Sequence, residues 1–374
     1  MPLHPRSRGV PGRAGRAEDG HLDLAHARDP AKGVAVSPKP SLDSLLPALS
    51  EAYGPPGREE GIRAALRRAL RGMGTVREDA LGNLHLHLPG KGKRLLLTAH
   101  MDAPGLIVTR VDASGLARLT LLGPMPAADW IGAVVSLDGS ARGVVGWDRP
   151  RDAKETREIE PEALYLETGL GAKQAPKKIE VGTVGALLDR AERLGDLWCG
   201  GNLDNRAGCA AVVAALSGVR GLRNDLHVVF AAQSDLGARG AGTSAFGLQP
   251  DVAVVLDVAF VGESRGTGDI ALGKGPCLGL KEEGYLPHPR ALDLAKRAAK
   301  AARVPHQWLI RESGGSDARA VRASRAGVPT ALVAIPARKT GGPRVLVNAN
   351  DLEQTVKLLR HIVTTPYTGE KGSR

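Results

Sequence analysis

The stretch LLLTAHMD, residues 95–102, decides the fold, because it joins an apolar strand to a pair of chemically active side chains. The apolar run at residues 95–97 predicts a buried strand of an α/β sheet, and such sheets carry their sites at the carboxyl ends of the strands. His100 would lie at that edge, with Asp102 two positions further on. In a His-x-Asp pair the imidazole can bind a metal through one nitrogen while the carboxylate fixes its tautomer. The alternative for such a pair, taken alone, is a solvated or hydrogen-bonded turn.

The composition predicts a soluble globular protein without a nucleic-acid partner. The 374 residues suffice for two domains or for one large domain with an insertion, and 42% of them are hydrophobic. Only 3% are aromatic, so the cores must consist of Ala, Val and Leu, and a platform for stacking bases is not expected. The formal net charge of +11 comes from Lys and Arg spread along the chain, which is typical of a solvated surface.

The cysteines and the apolar stretches bear on the cellular compartment. Cys199, Cys209 and Cys277 are odd in number and have no CxxC spacing, which argues against a disulfide framework and against a structural zinc site. A reducing, cytoplasmic location is therefore expected. No apolar stretch has the length of a membrane span, and the N-terminus has no signal-peptide core, so no membrane partner is expected.

The residue pattern changes at four points along the chain, and these changes predict a domain organisation. Residues 1–38 show no periodicity and are expected to form a disordered extension. Residues 39–106 and 196–366 alternate strand and helix patterns, which predicts one α/β domain with a mixed, largely parallel sheet and helices on both faces. Residues 107–195 contain short apolar runs between Gly, Pro and charged residues, which predicts an inserted small β-rich domain. Residues 367–374 form a polar tail.

Several acidic residues follow apolar runs or stand at predicted helix starts, and they share this position with His100. Because the carboxyl ends of parallel strands meet at one edge of a sheet, these side chains could converge there, and a convergent His/Asp set is how divalent metals are held. Asp204 alone, standing just before a helix, would be interpreted as an N-cap. The acids are Asp102, Asp204, Asp235, Asp257 and Asp317.

Several motifs in the same order give the chain a family resemblance over roughly residues 42–363. They are TAHMD, NLDNRAGCA, the LGARGA run after Asp235, LDVAF, ESGGSDARAVRASRAGVPTALVAIPAR and NDLEQTVKLL. In these the chain resembles the dinuclear metallo-aminopeptidases, which include tetrahedral, glutamyl and deblocking aminopeptidases. The resemblance implies a zinc-peptidase-like α/β domain with a co-catalytic metal pair and a β-rich inserted domain used in assembly. It also implies a homo-oligomer that removes N-terminal residues from peptide substrates.

The resemblance also implies roles for individual residues. His100 corresponds to a terminal ligand of one ion, Asp204 to the carboxylate that bridges both ions, and Asp257 to a further ligand of the ion bound by His100. Asp102 would orient His100. Asp235 would ligate the second ion or act as a base. These ligand types suit zinc, cobalt or manganese, as one or two ions per subunit.

Two positions depart from the family pattern. Ser234 stands where the family has the glutamate that acts as general base, and a hydroxyl cannot replace a carboxylate in that role near neutral pH. Gly341 stands where a histidine ligates the second ion. Two hypotheses follow: a hydrolase with impaired or altered catalysis and Asp235 as candidate base, or a catalytically inactive pseudoenzyme that serves as a binding or assembly scaffold.

Other residues could fill the gap or support the site, although their sequence context favours ordinary structural roles. His288 and His306 each lie beside a proline in a stretch with a loop pattern. Asp317, in the GGSDA turn, is expected to hold the loop near the site rather than to contact a metal. Cys209 is expected to be a small core residue within an Ala-rich helix.

Overall fold

The computed structural model describes residues 40–138, 141–148, 159–262 and 270–368. The predicted extension at residues 1–38 lies outside these ranges, as does most of the predicted tail. In the part of the chain that is described, no helix combines the length and the apolar character needed to span a membrane.

The described residues form 17 strands and nine α-helices, together with two single 3₁₀ turns at Pro161–Ala163 and Ser234–Leu236. The strands are β1 (Thr75–Glu78), β2 (Leu84–Leu88), β3 (Arg94–His100), β4 (Gly105–Val111), β5 (Ala117–Leu122), β6 (Val134–Leu137), β7 (Ala141–Trp147), β8 (Leu164–Glu167), β9 (Val184–Leu187), β10 (Glu192–Leu194), β11 (Leu197–Gly200), β12 (Asp225–Ala231), β13 (Val252–Phe260), β14 (Cys277–Lys281), β15 (Gln307–Ile310), β16 (Thr330–Lys339) and β17 (Val345–Asn348). The helices are α1 (Leu42–Ser50), α2 (Glu60–Ala69), α3 (Ala127–Trp130), α4 (Gly171–Lys178), α5 (Leu203–Leu216), α6 (Arg239–Leu248), α7 (Pro289–Ala302), α8 (Ala318–Arg322) and α9 (Ala349–Thr364).

An 11-stranded mixed sheet forms the centre of the α/β part. Its strands follow the order β1-β2-β12-β3-β13-β16-β17-β11-β10, with β14 and β15 attached beside β16. The four central strands β12, β3, β13 and β16 are parallel to one another, whereas β2 and β17 pair antiparallel at either side of them. The predicted fold class, α/β with a mixed and largely parallel sheet, is confirmed.

Helices cover both faces of this sheet, which explains why its central strands are apolar at every position. Successive side chains of a strand point to opposite faces. Accordingly, Leu95 and Leu97 belong to the core that contains the apolar sides of α1, α5, α7 and α9. Leu96 belongs to the smaller core on the other face, which contains Ala241 and Ala245 of α6 and Val321 of α8. A strand that is buried on both faces requires a continuous apolar run, and residues 95–97 provide it.

The segment between β3 and β10 contains a separate closed barrel. Six antiparallel strands close it in the order β4-β5-β8-β7-β6-β9. Its interior is a core of its own, in which Trp130 is completely buried. The sequence pattern here predicts mostly strands, and α4 is a helix that the pattern does not predict.

The parallel arrangement places the carboxyl ends of β3 and β12 at one edge of the sheet. His100 ends β3, and the turn that holds Ser234 and Asp235 follows β12. The apolar run alone predicts that this strand ends at Asp257. Strand β13 instead continues to Phe260, so Asp257 lies within the strand. This edge of the sheet positions the site.

Candidate metal centre

His100 lies at the centre of the candidate site, with two carboxylates facing one side of its ring. Its Nε2 atom lies 3.6 Å from Oδ1 of Asp204 and 3.6 Å from Oδ1 of Asp257. Asp257 comes from the neighbouring strand β13, and Asp204 comes from the first turn of α5. The three side chains each offer a ligand atom, and these atoms all lie within 4.8 Å of one another.

The start of α5 directs Asp204 into the site instead of letting it cap the helix. The backbone leaves the helical conformation at Asp204 (φ −88°, ψ 104°) and Asn205 (φ −117°, ψ 39°). The Asn205 side chain fixes this bend, because its Nδ2 donates to the Leu256 carbonyl at 2.8 Å and its Oδ1 accepts from the Gly208 amide at 3.1 Å. The N-cap interpretation of Asp204 is therefore not what the structure shows.

Asp102 connects His100 to the turn after β12. Its carbonyl oxygen is the nearest acceptor for Nδ1 of His100, at 3.2 Å, and its carboxylate Oδ1 lies 3.6 Å from the same nitrogen. The carboxylate, which is completely buried, accepts the backbone amides of Ser234 and Asp235, both at 3.0 Å. Asp102 therefore positions the imidazole and the turn that carries Ser234 and Asp235.

The charge around His100 suits a cation. Burial alone would lower the pKa of His100, but its hydrogen bonds with Asp102, Asp204 and Asp257 outweigh this and raise the pKa well above its usual range. Within the described residues, the ion pairs of Asp204 and Asp257 are both with this imidazole. One imidazole among several carboxylates is a donor set that fits a borderline or hard divalent metal ion.

Asp235 lies on the other side of the same cluster. Burial, and then the negative charge of Asp102, raises the pKa of the Asp235 carboxyl well above its usual range. Its Oδ2 atom is buried and has no hydrogen-bond partner. The barrel closes over it at Gly123, where a Cβ atom would come within 3.0 Å of the Asp235 Cβ, so a larger residue would press on the carboxylate. His100, Asp102 and Asp235 form a second group with metal-binding spacing.

Ser234 has a carboxylate partner that the sequence does not reveal. Its Oγ donates to Oδ1 of Asp317 at 2.7 Å. Asp317 is buried, and burial raises the pKa of its carboxyl to about 6. Its Oδ2 atom is buried and has no partner. A carboxylate thus stands directly behind the serine, supplied from a segment 83 residues further along the chain.

Gly341 lies in the turn that joins β16 to β17. Its φ of +76° is in the left-handed region, and a Cβ atom there would meet nothing within 4 Å. The neighbouring Gly342 lines a cavity together with Asp204 and Lys339. The turn therefore runs beside the metal centre with open space where a ligating side chain could be.

His288 and His306 have structural roles instead of a place in the metal centre. His288 caps helix α7, where its Nδ1 accepts from the Arg290 amide. The ring of His306 stands edge-on against Trp308. Neither belongs to a group with metal-binding spacing among the residues that the structure describes.

A cavity of about 570 Å³ opens over the centre and gives it access to solvent. Its lining includes His100, Asp204, Asp235 and Asp257, together with Ser234. Phe260, Arg311 and Lys339 also line it. The size is that of a small-molecule site, and the lining combines acidic residues with two cationic ones.

Comparison with known proteins identifies the family. The family model described as M42 glutamyl aminopeptidase matches residues 82–358, which is more than half of the chain. The chain belongs to the M42 glutamyl aminopeptidase family. The resemblance to metallo-aminopeptidases that the motifs predict is thereby confirmed.

Individual relatives match the chain over most of its length. A protein of Acetivibrio thermocellus is 31% identical over 319 residues, which cover 84% of this chain and 96% of that one. The lysyl aminopeptidase of Pyrococcus furiosus is 27% identical and covers 85% of this chain and 96% of its own. Among solved structures, the TET1 peptidase of Pyrococcus horikoshii superposes with a TM-score of 0.77 at 24% identity, covering 86% of this chain and 99% of that chain. The fold of this peptidase therefore extends over 86% of the chain.

Proposed function

We propose that the chain is a metal-dependent aminopeptidase-like hydrolase that removes N-terminal residues from peptides. The observation that carries this proposal is the convergence of His100, Asp204 and Asp257 at the carboxyl edge of the sheet. We propose that these three side chains hold one divalent ion of zinc, cobalt or manganese. The sequence supplies only Gly341 where the family has a ligand for a second ion.

The other residues of the site have supporting roles in this proposal. When bound, the ion would polarise a peptide carbonyl as a Lewis acid and lower the pKa of water. Asp235 would accept a proton, because it lines the cavity and its Oδ2 has no hydrogen-bond partner. Asp102 would hold both His100 and the backbone of Asp235 in place through its two oxygens and its carbonyl. The acidic residues that line the cavity would attract the amino terminus of a peptide.

The departures at Ser234 and Gly341 predict slow turnover. A positioned general base contributes roughly a hundred- to ten-thousand-fold to the rate. The Asp235 carboxylate has a shorter arm than a glutamate and must act without the carboxylate that the family has at position 234. We therefore expect a weak peptidase, or one that acts on a substrate easier to cleave than an ordinary peptide bond.

The test is hydrolysis by metal-loaded protein. The protein is freed of metal with a chelator, reloaded with zinc, cobalt or manganese, and assayed on aminoacyl anilides and short peptides. We expect Asp204→Asn to lower the rate at least about a hundredfold, whereas Asp196→Asn, at an exposed aspartate outside the site, leaves it unchanged. If wild type and Asp204→Asn are equally inactive with all three metals, the scaffold hypothesis replaces the enzyme.

We also propose a homo-oligomer, in which residues 107–195 form the assembly domain between the two parts of the α/β domain, 39–106 and 196–366. The TET1 peptidase of Pyrococcus horikoshii can assemble into a tetrahedron or a large octahedral shell. On the barrel of the present chain, the cross-strand neighbours Val134 and Val144 are exposed to 43% and 47%. An exposed apolar pair of this kind is suited to a subunit contact. The free, buried cysteines are compatible with a cytoplasmic location.

A further inference from the structure

Two histidines and an aspartate meet at the far end of the sheet from the metal centre. His87 of β2 and His227 of β12 are directly paired across the antiparallel ladder. Asp225 lies two residues before His227, so its side chain points to the same face of β12. The alternating patterns LHLHL at residues 84–88 and DLH at residues 225–227 produce this arrangement, because every second residue faces the same way.

The three polar side chains converge closely. Nε2 of His87 lies 2.8 Å from Oδ1 of Asp225, and Nε2 of His227 lies 3.1 Å from Oδ2 of the same carboxylate. The two imidazole rings stack with their centroids 4.3 Å apart and an interplanar angle of 15°. One ligand atom from each residue lies within 4.8 Å of the others. All three residues are partly exposed, so an ion could enter from solvent.

We propose that His87, Asp225 and His227 form a second metal-binding site, specific for borderline divalent ions such as zinc, cobalt or nickel. Two imidazoles and one carboxylate are ligands that such ions prefer, and three protein ligands leave a position for water. In the described structure Nδ1 of each ring has no hydrogen bond within the protein, so either ring can carry its proton there while Nε2 binds the ion.

A cationic side chain lies beside the three proposed ligands. Arg94 on β3 opposes the ion, since its Nε lies 3.9 Å from Oδ2 of Asp225.

The site is separate from the metal centre of the proposed hydrolase. Asp225 begins β12, whereas Asp235 follows the end of that strand. The seven residues of β12 span roughly 20 Å at about 3.3 Å per residue. An ion bound here would join β2 to β12 and stabilise the folded chain by its binding free energy. This role is independent of the chemistry at His100.

A cobalt titration tests this proposal after the metal centre is removed. In the double variant Asp204→Asn/Asp257→Asn, freed of metal, we expect Co²⁺ to bind at one ion per chain with visible ligand-field absorption, and Zn²⁺ to displace it. Adding His227→Gln should abolish that absorption, and so should adding His87→Gln. His361→Gln, which changes a partly exposed histidine of α9, should leave it intact. Far-UV circular dichroism shows whether each variant is folded.

The same titration contains the results that would overturn the site. The proposal is wrong if the folded double variant shows no Co²⁺ absorption. It is also wrong if the absorption survives in both folded histidine variants. Arg94→Gln provides a second readout, because removing the opposing charge should tighten Co²⁺ binding about threefold. An affinity that is unchanged or weaker would mean that the ion lies elsewhere.

Discussion

At the scale of single residues, Ser234 and Asp317 form a hydrogen-bonded pair at the candidate site. The serine, which the motifs predict to stand where the family has a glutamate, donates to Asp317, and the buried Asp317 carboxylate has one oxygen without a partner. A glutamate at position 234 would bring a further negative charge against the Asp317 carboxylate. A serine therefore suits this position, because its hydroxyl donates a hydrogen bond to the Asp317 carboxylate and adds no negative charge.

Removing the Ser234 hydroxyl should destabilise the protein. Ser234→Ala leaves Oδ1 of Asp317 without its donor, and a buried acceptor that loses its partner costs about 1–3 kcal/mol in the free energy of unfolding. Urea denaturation of the metal-free protein measures this loss. Ser313→Ala, at an exposed serine of a neighbouring loop, is the control and should change the free energy by less than about 0.5 kcal/mol. Equal stability of the two variants would contradict the importance of the hydrogen bond.

The motifs predict that Gly341 stands where the family has a histidine ligand, and Gly341→His tests this prediction. Gly341→His places an imidazole where there is open space, at a cost of about 1–2 kcal/mol for the left-handed backbone. We expect elemental analysis to show one more tightly bound zinc ion per chain than in wild type. Gly342→His is the matched control. A metal content that stays at the wild-type value in Gly341→His would show that the second ion needs more than this ligand.

At the scale of elements, strongly periodic and continuously apolar segments could be predicted from the sequence. Residues 290–302 predict the helix that the structure shows as α7, and the apolar run before His100 predicts β3. Strands β14, β15 and β17 could not be predicted, since each is only four or five residues long and is defined by its partners rather than by its own pattern. The bend at Asp204 is likewise invisible in sequence, because the contact that fixes it reaches from Asn205 to Leu256.

The turn between β1 and β2 provides a prediction for acid stability. Burial alone would raise the pKa of Asp79, but hydrogen bonds from His85 and Asn83 outweigh it and lower the pKa from 3.8 to about 2. A carboxyl whose pKa is lower in the folded state stabilises the protein above its unfolded pKa, and this stabilisation is lost as the pH falls towards the folded pKa. Asp79 should therefore contribute fully above about pH 4 and lose its contribution between about pH 4 and 2.

The free energy of unfolding of wild type and Asp79→Asn, measured at pH 6 and pH 3, tests this expectation. After allowance for solvent screening, the wild type should lose about 1 kcal/mol more than the variant over this interval. Asp43→Asn, at an exposed aspartate of α1, serves as a control that retains the wild-type dependence. A variant that loses as much stability as wild type would show that Asp79 does not carry this part of the acid sensitivity.

At the scale of the whole molecule, the exposed valines of the barrel predict where subunits meet. Val144→Asp places a charge in the centre of the proposed contact, and burying an unpaired charge opposes association. We expect light scattering after size-exclusion chromatography to show a smaller assembly for Val144→Asp than for wild type. Leu286→Asp, at an exposed leucine outside the barrel, should leave the mass unchanged. A wild type that is monomeric would contradict the proposed assembly.

The convergence of the site side chains depends on the whole molecule, and the sequence predicts it only in part. The motifs predict that His100, Asp204 and Asp257 belong to one site. The parallel sheet gives the physical reason why these three side chains meet. The pairing of Ser234 with Asp317 and the stacking of His87 on His227 depend on contacts between segments 83 and 140 residues apart in the chain, by their residue numbers. Single-sequence patterns carry no information about such pairings.

The most direct test of the proposed one-ion centre is anomalous X-ray diffraction from crystals of the zinc-loaded protein at the zinc absorption edge. We predict one strong peak among Nε2 of His100 and the carboxylates of Asp204 and Asp257, with no second peak beside it towards Gly341. No peak at His100, or a pair of ions sharing Asp204, would contradict this account.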